Sequence, residues 1–281
     1  MEVIIGKYSG FCAGVSYTYK RAVEEINKRS LYCLGEIIHN KQVIEELESK
    51  GITTVNKINE VPNNSSVIFR AHGEPYSSYE YAKKHNIKVI DLTCGKVKLI
   101  HDKVSKMKAD CYIAIIGKKK HPEIIGTLGF SGTDAIVIEE SIDIPNLKKE
   151  FEKSQKEKIF IISQTTFSSS KFDELVLKIK EEFNNVIIEV DKSICNATQK
   201  RQDECEEISK NVEAVIVIGS KHSSNTRELF NIASKNCKNV YYVEEIMDVD
   251  TINLNFDIIG IVAGASAPKY LIDSIVSKIK L

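Results

Sequence analysis

One pattern recurs three times along this chain: a short apolar strand runs into a cysteine, and a helix-patterned segment leaves it. The copies read VIIGKYSGFCAGVSYTYKRAVEEI around Cys12, VIDLTCGKVKLIHDKV around Cys94 and VIIEVDKSICNATQKRQDECEEI around Cys195. After Cys94, apolar Val97, Ile100, Val104 and Met107 keep helical spacing while lysines fill the other face. That spacing predicts a helix with Cys94 at or beside its N-cap. Unpaired backbone N–H groups and the positive end of the helix dipole favour a thiolate there, the form a metal ligand or nucleophile needs.

Two further repeats travel with the cysteines. An apolar strand, a glycine and three residues lead to His39 (YCLGEIIHN), His121 (IAIIGKKKHPE) and Ser223 (VIVIGSKHSSN). Cys12 to His39 and Cys94 to His121 are both 27 residues, and Cys195 to Ser223 is 28. Another apolar strand then ends at His72 (VIFRAHG), Thr165 (IFIISQTT) and Ser266 (IIGIVAGAS). Equal offsets of this kind imply triplicated architecture, with modules over 13–93, 94–193 and 194–281 and the N-terminal strand, 1–12, pairing with the third. Modules of roughly 90 residues bury little surface alone, so they are expected to share faces around a common axis.

Strand and helix patterns alternate almost throughout. In the first module strands are expected at 3–5, 31–34, 67–70 and 88–92, with helices at 13–29, 41–49 and 76–85. The second has helices at 96–108, 122–130, 147–156 and 170–183 and strands at 111–116, 135–138, 158–162 and 186–190. The third repeats the plan with strands at 215–218, 240–243 and 258–262 and a helix at 225–235. This is an α/β pattern with mostly parallel sheets, whose ligands sit beyond the carboxyl ends of the strands. All nine repeated positions fall there.

Lys+Arg and Asp+Glu both number 39, so nothing global calls for nucleic acid or an anionic membrane. No charged-then-apolar leader and no run of 18 apolar residues is present, and a cytoplasmic protein is expected. Seven cysteines in such a compartment argue for metal or catalysis before disulfides. Zinc sites usually show local C-x-x-C pairs and four ligands, and neither pattern occurs. Three single cysteines, one per module, suit an iron–sulfur cluster with one iron left open. Cys33, Cys111, Cys205 and Cys237 read as small buried residues.

The motifs GFCAGV, EIIHN, RAHG, DLTC, GKKKHPE, SQTT, ICNAT with RQ following, SSNT and AGASAP, in that order over residues 10–268, resemble the family of 4-hydroxy-3-methylbut-2-enyl diphosphate reductases. The resemblance implies a pseudo-threefold trefoil of three α/β modules around a central 4Fe-4S cluster bound by Cys12, Cys94 and Cys195. It implies reductive loss of the substrate hydroxyl to give isopentenyl and dimethylallyl diphosphates, with electrons from an external low-potential donor such as ferredoxin or flavodoxin. It also implies Glu123 as proton donor with Thr165 as its relay. Two positions depart from the pattern: Gly95 replaces a common proline after Cys94, and Lys221-His222 precedes Ser223.

The residues independently suit a diphosphate. His39, His72, His121, Thr165, Ser223, Ser224, Asn225 and Ser266 can supply many neutral donors beside helix-start N–H groups. Against that, Ser223 to Asn225 could merely cap a helix, Glu123 could merely complement a helix dipole, and Lys118 to Lys120 reads as a solvated charge run. A hydro-lyase using the open iron only as a Lewis acid, and a non-catalytic iron–sulfur sensor, remain as alternatives. A requirement for supplied electrons separates the first, and the lack of a basic stripe or recognition-helix motif weighs against the second.

Overall fold

The computed structural model describes residues 1–26 and 31–280. In chain order the elements begin with β1 (Glu2–Ile5), α1 (Ala13–Ile26), β2 (Leu31–Leu34), α2 (Lys41–Ser49), β3 (Ile52–Val55), β4 (Ser66–Phe69), α3 (Tyr76–Lys84) and β5 (Lys88–Asp91). Next come α4 (Gly95–Met107), β6 (Cys111–Ile116), α5 (Pro122–Ser131), β7 (Ala135–Ile138), α6 (Ile144–Lys153), β8 (Lys158–Ser163), α7 (Ser169–Glu182) and β9 (Ile187–Asp191). The chain closes with α8 (Asn196–Ser209), β10 (Ala214–Ile218), α9 (Ser224–Asn236), β11 (Asn239–Val243), β12 (Ile258–Ala263) and α10 (Lys269–Ile279).

The strands form three four-stranded, wholly parallel sheets, ordered β3-β2-β4-β5, β7-β6-β8-β9 and β11-β10-β12-β1. Each is the same pattern, second-first-third-fourth, and in the last sheet β1 takes the fourth place, with Val3 opposite Ile259. The fold is therefore α/β with three similar modules. In that order the chain reverses its winding between the first and third strands, the switch point where open α/β sheets bind ligands. His39, His121 and Ser223 follow the first strands, His72, Thr165 and Ser266 the third, and Cys94, Cys195 and Cys12 the fourth.

The central strands show why the sheets are covered on both faces. All six residues of β6 are buried; Tyr112, Ala114 and Ile116 join the core with α6 and α7, while Ile113 and Ile115 join one with α4 and α5. In β10, Ala214, Ile216 and Ile218 face α10, and Val215 and Val217 face Cys205 and Leu229. Such continuous apolar runs mark parallel strands. Each fully buried isoleucine contributes roughly 1.5–3 kcal/mol.

By internal contacts the chain divides into two compact units. One comprises Met1–Lys20, Ile38–Lys50 and Asn196–Leu281, and holds the β11-β10-β12-β1 sheet; the other comprises Arg21–Ile37 and Gly51–Cys195, and holds the other two sheets.

Most expected elements agree to within a residue or two. The end of the helix expected at 13–29 lies outside the described residues. The helix expected at 147–156 starts three residues earlier, because a 3-10 turn over Ser141–Asp143, held by a capping box between Glu140 and Asp143, runs directly into it and Pro145 suits its first turn, while extended Ser154 stops it. Two elements, β3 and α10, are additional to those expected.

Within the second unit, α5 approaches the segment that carries His72 through its glycines. A methyl on Gly129 would stand 2.4 Å from Pro75 Cβ and 2.7 Å from its Cα, and one on Gly126 would stand 3.3 Å from the Gly73 carbonyl. Alanine normally gains about 1 kcal/mol over glycine inside a helix. Here overpacking against backbone wins, and Gly129→Ala is expected to lower stability by about 1–3 kcal/mol in urea unfolding. A midpoint that holds or rises would contradict this contact.

Candidate active site

Glu123 is placed by its own helix start. His121 is the N-cap of α5, and its Nδ1 accepts the Glu123 N–H at 3.1 Å; Pro122 follows at the first helical position. Since Nδ1 accepts, the neutral ring carries its proton on Nε2. The Glu123 side chain turns into the protein, leaving the residue 2% exposed, towards the end of the adjacent strand β8. There Oε1 accepts the Thr165 N–H at 2.6 Å and Oε2 accepts the Thr165 hydroxyl at 2.7 Å.

Burial pushes the Glu123 carboxyl up to about 7, against the pull of its two hydrogen bonds from Thr165. A carboxyl in that range can hold a proton at neutral pH and release it to a reacting group. An ordinary helix-start acid would face solvent, and this one does not. The His121 ring meets His72 edge to face, 5.3 Å between centroids.

The neighbouring amides are held by a second side chain. Gln164 Oε1 accepts the Lys118 N–H at 3.0 Å, and its Nε2 donates to Thr166 Oγ1 at 2.8 Å, joining the loops after β6 and β8. Lys119 is exposed and pairs with Asp143, so this part of the lysine run is solvated. In the first module, Arg70 Nη1 donates to the Glu36 carbonyl at 3.3 Å and Nε lies 3.7 Å from Glu74 Oε1. Burial pushes the Glu74 carboxyl up to about 7, opposed by the Arg70 charge. The Arg70 bond to the Glu36 carbonyl joins the loop that leads to His39 with the loop that carries His72.

The other unit presents a different surface. Ser223 caps α9, its Oγ accepting the Thr226 N–H at 3.3 Å, so the capping role is real. Ser224 and Asn225 follow in the first turn, both buried. Both amide atoms of Asn225, 3% exposed, and the Ser266 hydroxyl are buried with no hydrogen-bond partner among the described residues. Each such orphan costs roughly 1–3 kcal/mol, so these atoms call for a polar partner, a bound water or a ligand. Thr226 occupies the space that glycines at 219 and 264 leave open, where a Cβ would come within 2.9 and 2.0 Å of its Oγ1. Half-buried His39 directly precedes Asn40, the N-cap of α2. His222, beside Ser223, is exposed.

The three repeat cysteines differ from the other four. Cys33, Cys111, Cys205 and Cys237 are buried in the cores, as expected for structural thiols, and burial pushes Cys33 and Cys205 up to about 12. Cys12, Cys94 and Cys195 are partly exposed. Cys94 is the N-cap of α4 itself, Cys195 precedes α8, and Cys12 precedes α1, with Sγ accepting the Val15 N–H at 3.5 Å. Each of their amides donates to the loop after a third strand: Cys94 to the Ala71 carbonyl at 3.0 Å, Cys195 to Thr165 at 3.0 Å and Cys12 to Ala265 at 3.4 Å. Three accessible thiols in equivalent positions, soft donors at helix starts, fit an iron–sulfur cluster.

Sequence reasoning did not single out Gln164, Thr226, Arg70 or Glu74, although SQTT, SSNT and RAHG contain or adjoin them. Among the described residues no helix is long and apolar enough to cross a membrane.

A profile of the family described as LytB protein matches residues 3–280. The 4-hydroxy-3-methylbut-2-enyl diphosphate reductase of Caldanaerobacter subterraneus subsp. tengcongensis is 38% identical over 287 residues, covering 100% of this chain and 97% of its own length. The protein of the same name from Clostridioides difficile is 36% identical over 284 residues, covering 99% and 98%. The solved structure of the E-1-hydroxy-2-methyl-but-2-enyl-4-diphosphate reductase from Plasmodium falciparum is similar with a TM-score of 0.88 at 30% identity, covering 98% of this chain and 87% of that one. A structure of (E)-4-hydroxy-3-methyl-but-2-enyl diphosphate reductase, described as the terminal enzyme of the non-mevalonate pathway, gives 0.70 at 34% identity, covering 100% and 99%.

Proposed function

The chain belongs to the LytB family, and on that premise we propose that it catalyses the reaction for which its relatives are named. It is a 4-hydroxy-3-methylbut-2-enyl diphosphate reductase: two electrons and two protons remove the hydroxyl as water and leave isopentenyl and dimethylallyl diphosphates. The observation that carries the mechanism is the buried Glu123 carboxyl clasped by Thr165.

Cys12, Cys94 and Cys195 would hold one 4Fe-4S cluster with one iron open. When bound, the cluster supplies electrons and a Lewis-acid site for the hydroxyl. Glu123 holds the proton that the departing oxygen needs, and Thr165 Oγ1 relays it. His121, with its proton on Nε2, and His72 donate hydrogen bonds to the substrate, as do His39, Ser223, Ser224, Asn225, Ser266 and the helix-start amides of α9. Burial of Glu123 keeps water from competing for its proton. Electrons come from an external low-potential donor such as ferredoxin or flavodoxin, and the work is done in the cytoplasm by modules spanning 13–93, 94–193 and 194–281.

The test is anaerobic preparation with iron and sulfide counting, then assay with the allylic diphosphate alcohol and a low-potential reductant. Turnover without supplied electrons would favour the hydro-lyase reading instead.

The orphaned Asn225 amide yields a separate expectation. Asn225→Ala should weaken binding of inorganic diphosphate, a competitor of the substrate, by roughly ten- to a hundredfold. It should leave the melting temperature of the unliganded protein unchanged or higher, since an unsatisfied buried amide is removed. Unaltered diphosphate affinity by calorimetry would move the phosphate site elsewhere.

A further inference from the structure

The three cysteine loops differ in reach. Cys94 lies three residues beyond the end of β5 and Cys195 four beyond β9, but Cys12 lies seven beyond β1. The short loops carry their own braces: Asp91 Oδ1 accepts the Thr93 N–H at 3.0 Å, and Asp191 Oδ1 accepts the Ser193 hydroxyl at 2.8 Å. Loop 6–12, KYSGF between Gly6 and Cys12, contains no acid.

Within it the Ser9 N–H donates to the Gly6 carbonyl at 3.2 Å and Ser9 Oγ accepts the Ala263 N–H at 3.0 Å, and its charged braces come from α8. Glu204 Oε1 accepts the Lys7 N–H at 2.6 Å and Oε2 accepts the Tyr8 N–H at 3.0 Å. Arg201, 7% exposed, donates from Nη2 to the Gly10 carbonyl at 2.6 Å and from Nη1 to the Ala197 carbonyl of its own helix at 2.7 Å. The loop is shaped to receive both. A Cβ on Gly6 would stand 2.8 Å from Glu204 Oε2, and Gly10 adopts a φ of +96° that other residues rarely take. Lys200, on the same helix, lies 5.3 Å from the centre of the Tyr8 ring. By contrast, the amide of Cys12 itself makes only a long 3.4 Å bond to Ala265.

We infer that Arg201 and Glu204 are positioning residues for Cys12: helix α8, which starts one residue after Cys195, also sets the place of the Cys12 thiol and so how firmly that leg of the cluster is held. The two bonds to Glu204 and the one to Arg201 are charge-assisted, the strong class of hydrogen bond. The inference rests on the reading of Cys12 as a cluster ligand, but its first measurement does not need the cluster.

In apo-protein, the alkylation rates of Cys12, Cys94 and Cys195 by iodoacetamide are followed by peptide mass spectrometry in the parent, Glu204→Ala, Arg201→Ala and the conservative Arg201→Lys. The expected result is a change of about tenfold at Cys12 in the alanine variants, little change at Cys94 and Cys195, and partial return in Arg201→Lys. In reconstituted protein the same alanine variants should lose iron to a chelator about tenfold faster than the parent. Unchanged Cys12 reactivity in both alanine variants, or an equal change at all three cysteines, would overturn the proposal. A selective change at Cys12 in a chain whose parent binds no iron would uphold the brace and reject the cluster reading instead.

Discussion

Cys94→Ser is expected to leave the protein without a complete iron–sulfur cluster and without measurable reductase turnover. Removing one thiolate leaves two protein ligands, and a serine hydroxyl is a poor substitute for a soft donor. The substitution separates ligation from folding. Cys94 is the N-cap of α4, a position where serine is among the preferred residues, and its amide bond to Ala71 needs no side chain. Compared as cluster-free proteins, the variant should therefore melt at or above the parent's temperature, while its iron, sulfide and visible absorbance after anaerobic reconstitution collapse. Cys12→Ser and Cys195→Ser should behave alike. Cys33→Ala and Cys111→Ser should do the reverse, keeping the cluster and losing some stability, because those side chains fill the core and Cys33 is held protonated by burial. Full cluster occupancy in Cys94→Ser would defeat the three-ligand assignment.

The repeats were legible because each carries a residue type that the chemistry needs at a fixed place, and period survives in a linear sequence. The common second-first-third-fourth strand order is a matter of pairing between distant segments, and no local pattern displays it. The strand at Ile52–Val55 has only two apolar residues and follows the turn at Gly51 without a break, so periodicity had little to act on. The helix Lys269–Ile279 does carry helical spacing in Leu271, Ile272, Ile275 and Ile279, and that signal was readable. At the site, residue types were legible and environments were not. Glu123 looks like a helix-start acid until Thr165, 42 residues away, is seen to close over it. Arg201 and Glu204 lay in the quoted motif or just beyond it, but their partners are almost 200 positions distant. Asn225 reads as an ordinary first-turn residue, and only its burial exposes the unsatisfied amide.

Glu123→Gln is the second large effect. The amide keeps the shape of the carboxyl: its oxygen can still accept the Thr165 N–H, and its nitrogen can donate to Thr165 Oγ1. Iron content and diphosphate affinity should therefore be those of the parent, while the proton needed at the departing oxygen is gone. A positioned general acid is worth about 10² to 10⁴ in rate, and the loss should fall in that range. Two pH measurements distinguish this from an indirect effect. With its carboxyl pushed up to about 7, Glu123 loses its proton as pH rises through that value, so the parent rate should fall there and the Gln variant should lack that limb. The Glu74 carboxyl lies in the same range, so the limb is assigned only by its disappearance in Glu123→Gln. Stability carries the same sign. A carboxyl raised in the folded chain binds its proton more tightly than in the unfolded chain, so its contribution is present at low pH and is lost as pH rises from the ordinary carboxylate range through about 7. Relative to the parent, Glu123→Gln should gain stability between pH 5 and pH 8, read as melting temperature. Near-normal reductive turnover together with an unchanged pH limb would return Glu123 to the role of a helix-start acid.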